Sequence, residues 1–399
     1  MPSSNSKLTI AEEKRYIGII FFLFAFEIMS WVPRFPEVKA NLGLSNGEFG
    51  TYISLGSIGS LIAMISSGHL VQKYGSRRVL LFSTFSICVA IVTLVHLQSA
   101  PLFILFNMIN GAVISIFHTA ITAQAFQAQD RAGEMILSRQ QGFWTIGAVV
   151  TAILSGVLVD FVSIAVHITT LSVILFFAIL YFIAKLNPEL IKPSTSEKDD
   201  FNVFDLFKSF RIDVLVSSAL VCALIVEFAT GDWSAIYSKE TIGVRGSLAT
   251  IPYIASLLAL IAGRLWIHII LRRIPLETMV KIGSIVGGLG FIAFITASNM
   301  LIEVSKTAAF ICAIAGFAIG GLGSSFLSAA LHTAANARSP QHSAIVIGQL
   351  GAVNAVLILI TKTVIAWTAQ FTGSIAIALI IPGLMLISVA FMARVVKGI

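Results

Sequence analysis

The sequence predicts an all-α, polytopic membrane protein with 12 transmembrane helices arranged as two pseudo-symmetric six-helix bundles. Of the 399 residues, 57% are hydrophobic and only 11% are charged, against roughly 25% charged residues in a soluble domain. The mean hydropathy is +0.94, and most apolar stretches exceed the roughly 17 residues that a helix needs to cross a bilayer. A polar central segment separates the stretches into two sets of six. These observations exclude a water-soluble globular protein.

The apolar stretches between charged and turn residues define the spans in order. The first six lie near residues 16–32, 49–71, 79–96, 102–126, 136–159 and 164–184. The second six lie near residues 214–237, 248–271, 280–297, 308–331, 343–367 and 375–396. The predicted domains are an N-terminal bundle (1–184), a cytoplasmic linker (185–212) and a C-terminal bundle (213–399).

The linker is predicted to be solvated, since Pro188, Pro193 and the polar run 194–200 cannot bury apolar area. Four phenylalanines follow at helical spacing between charged residues, which indicates a short interfacial helix near 201–211. The alternative is that this segment is the frayed start of the seventh span. In the first half of the chain, Ser45 with Glu48 predicts a capping box at the start of the second span.

The net charge of +7 is explained by topology. With both termini in the cytoplasm, 20 of the 26 Lys and Arg residues fall on the inner side, as the positive-inside rule requires. The charge therefore reports membrane insertion and indicates no nucleic-acid partner. The six basic residues expected outside are Arg34, Lys39, Lys239, Arg245, Lys306 and Lys362.

Several chemistries have no motif in this chain. There is no GxxxxGK[ST] loop for ATP and no HExxH motif. Cys88, Cys222 and Cys312 each stand alone in an apolar segment, which indicates packing. We therefore expect no enzymatic activity, no metal and no cofactor, with an ion gradient as the energy source.

The two halves read as parallel duplicates. Each opens with a span that carries a glutamate near its middle and a tryptophan further out, Glu27 with Trp31 and Glu227 with Trp233. Each also has a glycine turn before its second span, Gly43 and Gly243.

The segment from Gly68 to Arg78 resembles the signature loop between helices two and three of the major facilitator superfamily. It reads GHLVQKYGSRR, with Gln72 where the family pattern has an acid. The resemblance implies secondary transport, with substrate bound between two halves near the midplane, and a gating role for Gly68, Lys73, Gly75, Arg77 and Arg78.

A closer likeness is to the fucose-permease-like branch of bacterial inner-membrane permeases. It is carried by Arg34, Pro36 and Glu37, by the DWSAIY sequence at 232–237, and by Gly263, Arg264 and Leu265. The resemblance implies a proton-coupled permease in the inner membrane, for a sugar or for another small solute. We expect the protein to work as a monomer. Arg264 is expected to meet helix termini or lipid phosphate, with gating as the alternative.

Charged side chains within spans are costly and are functional candidates by default. By helical rise, Glu27 and Glu227 lie about 18 and 20 Å into their helices, near the midplane. We expect them to face a central cavity from opposite walls, where a proton would neutralise the carboxylate before occlusion. The alternative for both is a structural carboxyl, and for Glu27 a pair with Arg34.

Asp232 and Lys362 lie at similar depths, about 27 and 28 Å from the cytoplasmic helix ends. They are candidates for an ion pair, and Asp232 is a third proton-coupling candidate. The alternative is that Lys362 snorkels to water.

Polar residues in three spans are candidates for substrate binding, with helix packing as the alternative for each. Asn107, Asn110 and His118 share one stripe of the fourth span. The others are Gln141 and Trp144 in the fifth span and Asn354 in the eleventh.

Three functions fit this sequence: a proton-coupled permease of a polar solute, an exporter of amphipathic or cationic compounds, and a transporter-fold sensor. A polar stripe facing the cavity would favour the first, and bare acids among phenylalanines the second. The third predicts ligand binding without flux.

Overall fold

The computed structural model describes residues 8–132, 137–186, 213–270, 274–338 and 343–397. Within these residues the chain is helical and contains no β-strand. The predicted linker helix near 201–211 lies outside the described residues.

Eight α-helices form the described part of the first half. They are α1 (Ile10–Met29), α2 (Phe35–Asn41), α3 (Asn46–Ser54), α4 (Gly56–Tyr74), α5 (Ser76–His96), α6 (Ala100–Ala132), α7 (Leu137–Leu158) and α8 (Ile164–Lys185). The predicted capping box is present at the start of α3. The backbone N–H of Ser45 donates to Glu48 Oε2 at 2.9 Å, and the N–H of Glu48 donates to Ser45 Oγ at 3.3 Å.

The described second half has nine α-helices. They are α9 (Val214–Ile236), α10 (Gly246–Ala249), α11 (Ile251–Ile270), α12 (Leu276–Leu301), α13 (Lys306–Ser324), α14 (Leu327–Arg338), α15 (Ser343–Thr372), α16 (Ile375–Ala378) and α17 (Ile380–Met392). A π-helical stretch, Tyr237–Ile242, extends α9 to Gly243, whose φ of 77° favours glycine.

The described helices include eleven segments long and apolar enough to cross a membrane, or twelve when one bent pair counts as a single span. The bent pair joins Asn46–Met64 to Ser66–Tyr74 at 50°. The predicted fold class is confirmed. Several helices run beyond the predicted apolar limits, as in Ala100–Ala132 against 102–126, because a helix can continue past the bilayer without apolar residues.

The contacts divide the chain into two compact units. Unit one takes its residues from Met1–Trp31, Leu55–Thr151 and Val162–Asp200. Unit two takes its residues from Val32–Ser54, Ala152–Phe161 and Phe201–Ile399. This division differs from the predicted boundaries, since two pieces of the first half, residues 32–54 and 152–161, belong to unit two.

Small residues explain why residues 32–54 belong to unit two. Gly47 lies against the indole ring of Trp367, and Gly50 lies against Ala366 and the ring of Trp233. A side chain at either glycine would meet these groups, so α3 and α15 approach closely, as small residues allow in membrane helices.

Unit one is packed by the same principle between α4 and α6. Gly59 lies against the backbone of Met108, and Gly111 lies against the backbone of Gly56. Ser60 Oγ donates to the carbonyl oxygen of Gly111 at 2.8 Å. Backbone contact of this kind leaves no room for a Cβ atom.

We predict that Gly59→Ala destabilises the protein by about 1–3 kcal/mol, because its methyl group would overlap the backbone of Met108. Gly142→Ala in α7 is the matched control, since no atom lies within 4 Å of the Cβ position there. The measurement is the thermal unfolding midpoint of the purified protein in detergent. An equal midpoint for both variants would contradict this packing.

Candidate functional site

Glu27 lies in α1, and its side chain is enclosed inside unit one. The residue is 1% exposed. Ser172 Oγ in α8 donates to Glu27 Oε1 at 2.5 Å, and the Cys88 thiol in α5 lies beside the carboxylate. Oε2 has no hydrogen-bond partner among the described residues. The carboxylate thus points toward α5 and α8 of its own unit, and not out of that unit as the predicted facing arrangement requires.

Arg34, the residue offered as a structural partner for Glu27, instead pairs with Glu37. Arg34 is fully buried, and its Nε and Nη2 atoms donate to the two Glu37 carboxylate oxygens at 2.7 Å each. This fork geometry orients both carboxylate oxygens. The interpretation of Glu27 and Arg34 as an ion pair is therefore wrong.

Glu227 in α9 is the centre of a polar cluster in unit two. The Ser324 hydroxyl lies beside its carboxylate, and Arg264 in α11 attracts it electrostatically. Glu227 Oε1 is buried and has no hydrogen-bond partner among the described residues. Together with Ser325, these residues form what we call the Glu227 cluster.

Arg264 serves two parts of the Glu227 cluster. Its Nε donates to the carbonyl oxygen of Ser325 at 2.9 Å, at the point where α13 has just ended. A cation is favourable there because the last carbonyls of a helix carry a partial negative charge. The expectation that Arg264 meets a helix terminus is confirmed, and its exposed side chain also places a positive charge near Glu227.

Asp232 and Lys362 form an ion pair between α9 and α15. Lys362 Nζ lies 2.8 Å from Asp232 Oδ2, and the two residues are 8% and 9% exposed. Lys362 Nζ also lies 5.6 Å from the ring centroid of Phe228, within the range of a cation–π interaction. Lys362 is buried rather than extended to water, so the snorkelling interpretation is wrong.

The predicted polar stripe of α6 meets three different surroundings. Asn107 is buried with its amide against Gly56 of α4. Asn110 is buried as well, and its Oδ1 has no hydrogen-bond partner among the described residues. His118 is exposed, with its ring 6.4 Å from the ring of Phe21. Asn107 therefore contributes to helix packing, while Asn110 and His118 keep groups available for a ligand.

The remaining substrate candidates also differ. Asn354 Oδ1 accepts a hydrogen bond from Ser217 Oγ at 2.7 Å, joining α15 to α9. Gln141 is exposed and Trp144 is partly buried. Their neighbour Gln140 is buried and donates through Nε2 to the Lys14 carbonyl at 3.2 Å.

The signature-loop residues surround the turn between α4 and α5. Gly75 has a φ of 80°, so a glycine is favoured at this turn. Arg77 Nη2 donates to the Ala184 carbonyl at 3.2 Å, near the end of α8, and Lys73 lies 5.3 Å from the Tyr74 ring. Gly68 and Arg78 are exposed. The gating role of this loop stays a prediction.

A second polar network in unit two was not predicted from the sequence. Lys39 Nζ lies 2.5 Å from Glu240 Oε2 and 2.5 Å from Asn46 Oδ1. The backbone N–H of Ser247 donates to Asp160 Oδ2 at 3.2 Å. We call these contacts the outer network, because all of its members lie at the span ends expected outside.

These groups can bind a proton or form hydrogen bonds. In the described parts of the chain, no three His, Cys, Asp or Glu side chains come together as a metal site would require. The span carboxylates are instead held singly, by Ser172, by the Glu227 cluster and by Lys362. The negative charge of each carboxylate is compensated to a different extent, and the compensation is least complete for Glu27 and Glu227.

Comparison with known proteins assigns the class that the fold and these groups indicate. The family model of the Major Facilitator Superfamily matches residues 17–361. The chain belongs to this superfamily of membrane transporters, and the resemblance to the major facilitator superfamily is confirmed.

The individual relatives have low sequence identity to this chain. The chain is 26% identical to an uncharacterised MFS-type transporter of Yersinia pestis, over 95% of this chain and 94% of the relative. It is 23% identical to membrane protein MosC of Rhizobium meliloti, over 79% and 73% of the two chains.

Solved structures share the fold at low sequence identity. The nucleoside transporter NupG superposes with a TM-score of 0.73 at 15% identity, covering 97% of this chain and 99% of its own. A D-xylose-proton symporter superposes with a TM-score of 0.69 at 14% identity, covering 96% of each chain.

We predict that Lys362→Met destabilises the protein by about 3–5 kcal/mol, because it leaves the Asp232 carboxylate buried without its cation. The double variant Asp232→Leu with Lys362→Met should recover most of this loss. Lys306→Met, which removes an exposed lysine, is the control and should change stability little. The measurement is a thermal double-mutant cycle, and additive losses in the double variant would contradict a buried pair.

Proposed function

We propose that this protein is a proton-coupled secondary transporter that moves a small organic solute by alternating access. It works as a monomer in the cytoplasmic membrane, with both termini in the cytoplasm and no cofactor. Family membership supports the transport class, and the missing nucleotide-binding loop leaves an ion gradient as the energy source.

The Glu227 cluster carries the proposal of proton coupling. A carboxylate in a span is costly unless a cation or a proton neutralises it. Arg264 compensates Glu227 only in part, because its Nε is engaged by the Ser325 carbonyl and its side chain is exposed. A proton on Glu227 would complete the neutralisation when the site closes around substrate.

The other acids are less suited to this role. Asp232 has its own ammonium partner at 2.8 Å, so a proton would have to compete with Lys362. Glu27 is held by Ser172 inside unit one, which makes it a secondary candidate. Glu227 is therefore the first choice for the coupling residue.

The proposed substrate is a small hydroxylated solute, such as a sugar. Asn110 Oδ1 and Glu227 Oε1 are buried acceptors without a hydrogen-bond partner among the described residues, and a hydroxyl group can donate to either. Two solved structures with this fold are a nucleoside transporter and a D-xylose-proton symporter by name. Both kinds of substrate are rich in hydroxyl groups.

The outer network fits an alternating-access cycle. In the proposed orientation the Lys39–Glu240 pair and the Asp160–Ser247 hydrogen bond lie toward the outside. These contacts would hold the outer ends closed and would have to break for substrate to exchange with the outside.

A second candidate function is export of amphipathic or cationic compounds. Glu27 favours it, because this acid lies in unit one, where Phe21, Phe24 and Phe117 are also buried. A cationic solute would neutralise such a carboxylate in place of a proton.

We predict that Glu227→Gln abolishes uptake against a concentration gradient but leaves exchange of solute across the membrane intact. With one proton per solute, a pH difference of one unit supports about tenfold accumulation in the wild type. Glu277→Gln is the control, since Glu277 pairs with Lys281 at an exposed helix start. The assay is flux in liposomes with an imposed pH gradient, using sugars and nucleosides first and cationic drugs second.

Gradient-driven accumulation that survives in Glu227→Gln would exclude Glu227 as the coupling residue. Flux of cationic drugs alone would favour the exporter.

A further inference from the structure

A crevice opens between α5 and α8 of unit one, next to Ser172 and Cys88, which contact Glu27. Its volume is about 380 Å³, at the lower end of the range for small-molecule sites. Its walls include Phe85, Val89, Val173 and Phe177. Among the ten residues that line it there is no lysine, arginine or histidine.

The mouth of the crevice faces the region that acyl chains occupy in a membrane. Phe85 and Phe177 are 56% and 65% exposed, and large exposed apolar side chains on a span belong against lipid. Cys88 lies about 18 Å along α5 from Ser76, and Ser172 lies about 12 Å along α8 from Ile164. Both positions are near the middle of a hydrocarbon core about 30 Å thick.

The lining of the crevice is almost wholly apolar, but three polar side chains lie at its floor. Cys88, Thr169 and Ser172 line it. Thr169 Oγ1 is buried and has no hydrogen-bond partner among the described residues. Thr169 and Ser172 are three residues apart, so both hydroxyls lie on the same face of α8.

Glu27 lies directly beneath this floor. Ser172 Oγ donates to Glu27 Oε1 at 2.5 Å, and the thiol of Cys88 contacts the same carboxylate. The other oxygen, Oε2, has no hydrogen-bond partner among the described residues. A hydroxyl that donates to a carboxylate can accept a hydrogen bond at the same time, so Ser172 connects the crevice to the buried acid.

We propose that this crevice binds an amphipathic amine that enters from the bilayer as a protonated cation. The ammonium group donates to Thr169 Oγ1 and Ser172 Oγ, and the Glu27 carboxylate balances its charge through Ser172. The apolar body fills the space between Phe85, Val89 and Phe177.

Two features select a cation over a neutral or anionic ligand. The Glu27 carboxylate favours positive charge and disfavours a second negative charge at the floor. The aromatic walls strengthen the preference for a cation, because the faces of Phe85, Phe176 and Phe177 attract positive charge. The ring centroids of Phe85 and Phe176 lie 6.2 Å apart. A lipid acyl chain would fill the walls but leave Thr169 Oγ1 unsatisfied. The proposal concerns binding at this crevice and does not require that the bound amine be transported, although Glu27 is also the acid that favours the second candidate function.

The test uses three probes with the same apolar cage: 1-adamantylamine, 1-adamantanol and 1-adamantanecarboxylate. Their affinities for the full-length protein in lipid nanodiscs are measured with radiolabelled amine and competition by the other two. The amine should bind about tenfold to a hundredfold more tightly than the alcohol, since a charge-assisted hydrogen bond is lost in the alcohol. The carboxylate should bind more weakly still.

Substitutions test whether the amine binds in the crevice. Val89→Trp, which fills the crevice, should abolish amine binding, whereas Val286→Trp on an exposed apolar face of α12 should leave it unchanged. Thr169→Val and Glu27→Gln should each weaken amine binding and reduce its preference over the alcohol. If Glu27→Gln does not fold, the amine affinities of Val89→Trp and Thr169→Val still test the proposal.

Three results would overturn the proposal: equal affinities for the amine and the alcohol, amine binding that survives Val89→Trp, or an unchanged amine preference in both Thr169→Val and Glu27→Gln.

Discussion

The structure depends on one constraint: hydrocarbon does not solvate charge, so each ionised group within a span must find its compensation inside the protein. The chain meets this constraint in graded ways. Arg34 is matched by both oxygens of Glu37, and Asp232 is matched by the ammonium of Lys362. Glu227 has only the partial compensation of Arg264, and Glu27 has a hydroxyl and a thiol. The groups with the least compensation are those with the most to gain from a proton or a cationic ligand.

Close helix packing is the second condition for this arrangement, and glycine supplies it. Gly59 and Gly111 bring α4 and α6 into backbone contact, while Gly47 and Gly50 bring α3 against α15. Lipid tails are as apolar as leucine side chains, so helices in a bilayer associate through such close contacts rather than through hydrophobic burial. In unit two, Gly50 lies against both Trp233 of α9 and Ala366 of α15, the two helices that carry Asp232 and Lys362.

The spans could be predicted from the sequence because apolar length is a local property of the chain, and the capping box at Ser45 is local too. The depth of Asp232 and Lys362 could also be predicted by counting residues, and equal depth made their pairing a fair hypothesis. The direction in which Glu27 points could not. α1 is apolar around most of its circumference, so the sequence carries little amphipathic signal that would fix its rotation. The roles of Ser172, Cys88 and Ser324 depend on contacts between distant segments, and single serines or cysteines in apolar helices carry no signal of such contacts.

In the proposed cycle, Glu227 takes up and releases a proton. Infrared spectroscopy of the purified protein in lipid, recorded across a pH series, measures the carbonyl stretch of protonated carboxylic acids directly. The wild type and Glu277→Gln should show a band that converts to carboxylate absorption as the pH rises, and this band should be missing from Glu227→Gln. A spectrum of Glu227→Gln that superposes on the wild type throughout the series would contradict it.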